Sequence, residues 1–403
     1  LRRRAGSVQA TLDNAQSNLL YLVNVTVGTP TQNFALQLDT GSSDIWIPAA
    51  DSDVCQESNR CSNGAFDPNS SSSFGELAQG AFDISYVDGT KIQGDYISET
   101  FGIGGAKIEN QTMGLANDAR LTDDSSPFQG IIGVGFPSGE SIASADPSQV
   151  YPNIINMLKD QGHTSTLAYS LWLNDLEAST GSILFGGVDN SKFKGDLVVL
   201  PIQPDSESGG LTSFTVVLDN VNVEAGNGKV QYSQNSLAMP VILDSGTTLT
   251  YLPDDMANDI MTGVGAVNSE EAGVFVPCDL MNSPATFNFG FGSSAGPKIQ
   301  VQISEFVVPY PPFSDGSYPT LNDGTPICQW GILPAGDTPN LFGDTFLRSA
   351  YVVYDLQNKN IGLAQTVFNA TGSDVKDITG SSLPGATSTA SGTVVTQTFS
   401  GHP

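Results

Sequence analysis

Apolar residues in this chain fall mostly into short runs closed by turn residues, the spacing of strands rather than helices. Phe34-Ala35-Leu36-Gln37-Leu38 and Val241-Ile242-Leu243 are two such runs. Each leads directly into an acidic turn, Asp39-Thr40-Gly41-Ser42-Ser43 and Asp244-Ser245-Gly246-Thr247-Thr248. Phe82-Asp83-Ile84-Ser85-Tyr86 alternates apolar and polar positions and runs into Asp88-Gly89, which predicts a hairpin. Tyr351 to Asp355 and Ile361 to Ala364 read as further strands. Helical spacing is confined to Val150 to Asp160, with Ile154, Ile155 and Leu158 on one face, and to Pro253 to Thr262. From about Thr371 the chain turns to Ser, Thr, Gly and Ala with no core-forming pattern, which predicts a disordered tail open to O-glycosylation.

The two acidic turns are one motif used twice. A strand, Asp-[Thr/Ser]-Gly-[Ser/Thr] and a later apolar-apolar-Gly element occur at 34–43 with 131–135, and again at 241–248 with 341–343. This spacing is a duplicated domain, with the boundary placed near 190–200, after Ile183 to Asp189. A carboxylate at the end of a buried strand is costly unless hydrogen-bonded or sharing its charge burden with a partner. Two copies in two halves therefore predict that the carboxylates meet. Acids forced together cannot both ionise, so one keeps a proton while the other stays charged. Such a pair can activate water.

The 403 residues can bury a large core. With 42 acids against 15 bases, a net charge of −27, the surface repels nucleic acid and anionic membranes. The same balance suits work in acid, where protonation relieves the repulsion. No apolar stretch is long enough to span a bilayer as a helix. Asn69, Asn110 and Asn369 each precede Ser or Thr by two residues and are candidate glycosylation sites; Asn24 fits the pattern but falls inside an expected strand. The four cysteines, Cys55, Cys61, Cys278 and Cys328, allow three disulfide connectivities, of which local pairing within each half is the economical one. Such pairing would place the protein in an oxidising, extracellular compartment.

These motifs resemble the pepsin-like aspartic proteases, over about Tyr21 to Gln365. Tyr21 to Pro30 resembles the family's first strand and turn, and Asp39 to Trp46 its first active-site loop. Tyr86-Val87-Asp88-Gly89-Thr90 is similar to its hairpin flap. Phe128 to Gly135 and Asn340 to Asp344 are similar to the elements behind the two aspartates. One Asp-Thr-Gly would be weak evidence, but five matches in order are strong.

The resemblance implies a mostly β, bilobal fold with a cleft between two barrel-like lobes, at 21–195 and 196–366. Residues 1–20 would be an N-terminal segment, with Leu1-Arg2-Arg3-Arg4 a remnant of pro-segment processing, and 367–403 the disordered tail. It also implies disulfides Cys55–Cys61 and Cys278–Cys328, a monomer, protein or peptide substrates, and no metal or cofactor. A water between Asp39 and Asp244 would attack the scissile carbonyl, the charged aspartate acting as base and the protonated one as acid. Gly41 and Gly246 would let backbone N–H groups reach the carboxylates. Ser42 and Thr247 match hydroxyls on the outer carboxylate oxygens. Thr40 and Ser245 match the buried pair joining the loops; Ser245 replaces the usual Thr of pepsin but keeps the hydroxyl.

Tyr86 matches the flap residue that bonds towards Trp46, with Gly89 and Thr90 completing the tip. Val87 departs from the small residue common in pepsin. Asp88 matches a flap position where an acid in several fungal relatives admits Lys before the cut; its plain alternative is a turn residue. Phe128 and Ile131 match the apolar pocket lining, while Gln129 departs from the Asp often found there. Yapsin-like fungal members carry a Ser/Thr-rich stalk before a lipid-anchor signal, so the resemblance leaves both a lipid-anchored precursor and a secreted enzyme open.

Rival chemistries find little support. A Ser-His-Asp or Cys-His site has only His163 and His402 to draw on, zinc lacks ligands, and Gly290-Phe291-Gly292 lacks a dinucleotide loop's spacing. A glycosidase also uses paired acids, but needs no twin Asp-x-Gly turns. A silent cell-surface or inhibitor-binding protein of the same fold would be expected to have lost an active-site residue, and none is missing.

Overall fold

The duplicated motif folds into the same local structure twice. Strand Gln32–Asp39 runs parallel to Ile131–Gly133, with Asp39 opposite Gly133, and Ile45–Pro48 pairs antiparallel with that same short strand. In the second half Met239–Leu243 runs parallel to Leu341–Phe342, which pairs antiparallel with Thr250–Leu252 through Thr250 and Phe342. Leu36, Leu38, Ile132, Val241, Leu243 and Phe342 are fully buried, which is why these strands read as apolar runs. Each acidic turn is thereby raised off the end of a strand packed inside its lobe. The computed structural model describes residues 6–15, 19–58, 60–122, 127–205, 208–226, 228–232, 237–270, 272–313, 315–390 and 395.

The lobes share a sheet. Val8–Ala15, Thr180–Phe185 and Ala168–Trp172 from the first half are followed by Ala350–Asp355 and Asn360–Thr366 from the second, with Phe193–Pro201 beyond them. Tyr169 and Tyr354, one from each half, stack with centroids 4.8 Å apart, and Phe214 packs against both.

Three sequence expectations need correcting here. Residues 8–15 are no separate N-terminal segment: Val8, Ala10 and Leu12 alternate into the core from a strand paired on both sides. The boundary near 195 falls inside strand Phe193–Pro201, and 350–366 return to the shared sheet rather than completing the second lobe. The tail expected to be disordered is folded as far as Ala390. Val375–Asp377 pairs with Gly187–Asp189, and Ala386–Thr389 lies parallel to Phe193–Pro201. Its few apolar residues carry this docking, for Ile378 and Leu383 are buried in a cluster with Val188, Leu197 and Val353. Leu1 to Arg4, His402 and the chain end lie outside the described residues.

Of the two expected helices one is shorter than its apolar spacing suggested and the other runs two residues past its expected end. The first is Ile154–Asp160, started by Asn153, whose Oδ1 accepts from the backbone N–H groups of Ile155 and Asn156 at 3.2 and 3.4 Å. The second, Asp254–Val264, is stopped by Gly265 at φ 72°. Disulfides join Cys55 to Cys61 and Cys278 to Cys328. Asn69, Asn110 and Asn369 are exposed. Asn24 is exposed on strand Leu20–Val27, where its amide donates to Asp13 at 2.6 Å. Among the described residues no helix is long and apolar enough to cross a membrane.

Candidate active site

Asp39 and Asp244 lie at the bottom of one cleft, 5 % and 8 % exposed. Within the first turn the Gly41 N–H donates to Asp39 Oδ1 at 2.8 Å and the Ser42 hydroxyl donates to Oδ2. The second turn repeats this, Gly246 N–H to Asp244 Oδ1 at 2.8 Å and Thr247 Oγ1 to Oδ2 at 2.6 Å. Each turn glycine also faces the carboxylate of the other turn, with no room for a Cβ at either position. The carboxylates are thus held by their own turns and brought together by the opposite ones.

Beneath them the turns are bonded crosswise. Thr40 N–H donates to Ser245 Oγ at 3.2 Å and Ser245 N–H to Thr40 Oγ1 at 2.9 Å. The two hydroxyls donate onward, Thr40 to the Leu243 carbonyl and Ser245 to that of Leu38, both at 3.0 Å. Ser245 does here all that a hydroxyl is required to do. Burial holds the Asp39 carboxyl above the usual carboxylate range, and the negative charge of Asp244 adds to the rise. The bonds from Ser42 and Gly41 oppose it. A proton is therefore retained on the pair under conditions where an isolated aspartate would have lost it.

Above the cleft, strands Gly75–Ser85 and Lys91–Ile103 form the hairpin, with Ser85 opposite Lys91. Its turn is closed by Tyr86 N–H to the Thr90 carbonyl and Gly89 N–H to the Tyr86 carbonyl, each at 2.9 Å. Trp46 Nε1 donates to the Tyr86 hydroxyl at 2.7 Å. Phe128 packs on Trp46 with ring centroids 5.4 Å apart, and both line the cleft with Ile131 and Gln129. Asp88 is exposed at the tip, where Oδ1 accepts from Thr90 N–H at 2.8 Å and Oδ2 from Thr90 Oγ1 at 2.9 Å. It is also the one charged residue lining the cleft besides the aspartate pair, among the described residues.

Sequence reasoning missed other cleft residues, among them Gln37, Thr248, Tyr251, Gln329 and Thr338. Gln37 was within reach, since it lies two positions before Asp39 and so on the same face of its strand. Thr248 closes the second acidic turn, but Tyr251, Gln329 and Thr338 carry no local signal, because only folding turns them towards the first half. Buried carboxyls behind the turns were also missed. Asp344 is 2 % exposed, and burial pushes it well above the usual range against the pull of Arg348. Behind the first turn Glu140 is 1 % exposed, with Oε2 accepting from Tyr151 N–H at 2.9 Å, and burial pushes its carboxyl up to about 9. The Tyr151 hydroxyl donates to the equally buried Asp44 at 2.6 Å.

Comparisons with known proteins agree with this geometry. Residues 20–366 match the family model described as eukaryotic aspartyl protease. The chain is 40% identical over 380 residues to "Probable aspartic-type endopeptidase opsB" of Aspergillus fumigatus, covering 94% of this chain and 74% of that protein. It is 36% identical to "Secreted aspartic protease 4" of Candida albicans, covering 91% and 81%. The crystal structure of aspartic proteinase from Irpex lacteus superposes with a TM-score of 0.68 at 24% identity, covering 92% of this chain and 99% of that one, and shows the pepsin-like fold. With the family model and the curated relatives spanning nearly all of it, this chain belongs to the eukaryotic aspartyl protease family and is an aspartic-type endopeptidase.

Proposed function

We propose that the protein cleaves peptide bonds of protein or peptide substrates in acid, with Asp39 and Asp244 as its catalytic residues. The observation that carries this reading is the twin turn, two carboxylates each gripped by its own Gly N–H and hydroxyl and faced by the other turn's glycine. One proton on the pair leaves one base and one acid. The base takes a proton from a water between them as the oxygen attacks the scissile carbonyl. The acid donates to the carbonyl oxygen, and collapse of the gem-diol passes a proton to the leaving amine. No covalent intermediate is formed. The Tyr86 hairpin closes over the bound chain and excludes water from it.

The residue before the cut enters the space walled by Phe128, Ile131 and Trp46, which suits hydrophobic side chains. Asp88 extends the range to Lys and Arg, because among the described residues a cation there meets one carboxylate at the rim and otherwise uncharged walls. The enzyme acts as a secreted monomer glycosylated on Asn69, Asn110 and Asn369, and its disulfides and exposed acceptor sites support that reading. The test is digestion of a mixed peptide library between about pH 3 and pH 7, with and without a peptide statine, which mimics the gem-diol. Acid-dependent, statine-sensitive cuts are expected. Cleavage indifferent to statine would overturn the mechanism.

A further inference from the structure

Below the cleft opening the two halves are joined by a bond that the duplicated motif does not account for. Gln37 projects from strand Gln32–Asp39 into the cleft, and its Nε2 donates to the Gly246 carbonyl at 3.2 Å. That carbonyl sits between the two donors that grip Asp244, the Gly246 N–H and the Thr247 hydroxyl. The bond is one-sided. The residue two positions before Asp244 is Ile242, whose side chain has no polar atom to offer the Gly41 carbonyl. Gln37 is also a polar interruption inside the run Phe34 to Leu38, in a strand otherwise read as apolar.

We propose that Gln37 is a positioning residue for the second catalytic turn, acting from the substrate side as Thr40 and Ser245 act from beneath. By fixing the Gly246–Thr247 peptide it keeps both donors aimed at Asp244, so that carboxylate stays aligned with Asp39 while the water attacks the scissile carbonyl. Among the described residues, the titratable groups that share the cleft with its amide are Asp39 and Asp244 at the floor, Tyr86 and Asp88 on the hairpin, and Tyr251 on the second half. This rests on the catalytic roles proposed above for the aspartates.

Two variants of Gln37 distinguish positioning from packing. Gln37→Met keeps the volume but cannot donate. Its kcat is expected to fall about fivefold at every pH, the worth of one neutral hydrogen bond, with KM little changed. Gln37→Glu can donate to Gly246 only while protonated. It is expected to match the wild type at the acid end and to fall to or below the Met variant as pH rises through the glutamate range. The alkaline limb of its profile would then stand at lower pH than that of the wild type. Thermal melting of both variants separates these effects from loss of fold. Wild-type kcat in Gln37→Met, or Gln37→Glu tracking the Met variant's pH profile, would overturn the proposal. Statine-insensitive cleavage by the wild type would instead remove the reading on which it rests.

Discussion

Gly41 of the first turn faces the carboxylate of Asp244 in the second so closely that a methyl group there would stand 2.6 Å from Oδ1. One added carbon at Gly41 therefore pushes the two carboxylates apart while leaving all their own donors in place. Gly41→Ala is expected to lower kcat by about 10²-fold or more, because misplaced reacting groups forfeit alignment rather than chemistry. Statine affinity should fall with it. Kinetics within about threefold of the wild type would mean that the facing glycines are not what sets the pair's geometry.

Glu140 makes the fold itself sensitive to alkali. Its folded carboxyl is pushed up to about 9 by burial, above the ordinary range of about 4.3 that it regains on unfolding. The native state thus holds a proton that the unfolded chain gives up, and stability falls as pH rises between those values. Melting temperature should drop between about pH 5 and pH 8, and Glu140→Gln, which cannot ionise, should flatten that drop. An unchanged slope in the variant would exclude Glu140 as a source.

Selectivity at the hairpin tip can be separated from turn structure. Asp88 supports the turn through Thr90 as well as presenting a charge, so removing the whole side chain confounds the two. Asp88→Asn keeps an acceptor for the Thr90 N–H and discards the charge. Cleavage after Lys is expected to fall about tenfold relative to cleavage after Phe or Leu. Equal losses for all three peptides would leave Asp88 as a turn residue alone.

Docking of the tail should be measurable as stability. Ile378 and Leu383 bury against strands of both halves, and a fully buried aliphatic side chain contributes about 1.5–3 kcal/mol. Truncation after Thr371, or the double substitution of both residues by Ala, is expected to lower the melting temperature by roughly 5 °C or more. A truncated enzyme that melts with the full chain would show the docking to be energetically idle.

Much of the cleft was legible because its signals are local. A buried strand, an acid and a glycine turn occur together at Asp39 and again at Asp244, and alternation followed by Asp88-Gly89 marks the hairpin. The shared sheet was not legible, since Ala168–Trp172 and Ala350–Asp355 pair across nearly half of the chain with nothing local to name the partner. The strand at 8–15 carried the same alternation, in Val8, Ala10 and Leu12, and was within reach of the sequence. Ile378 and Leu383 are too far apart to form a periodic pattern. Glu140 follows Pro137-Ser138-Gly139 and reads as an exposed loop acid, because one residue's burial cannot be inferred from its neighbours.

The shared sheet also sets the order in which the molecule can come into being. Strand Val8–Ala15 occupies the same sheet as Ala350–Asp355 and Asn360–Thr366, strands made long after it. Contacts so distant along the chain form late, after a long loop has closed. The two acidic turns are bonded to each other, so a chain made only through its first half carries one wall of the cleft without the other. The architecture thus leaves the growing chain without a complete cleft until its second half has been made.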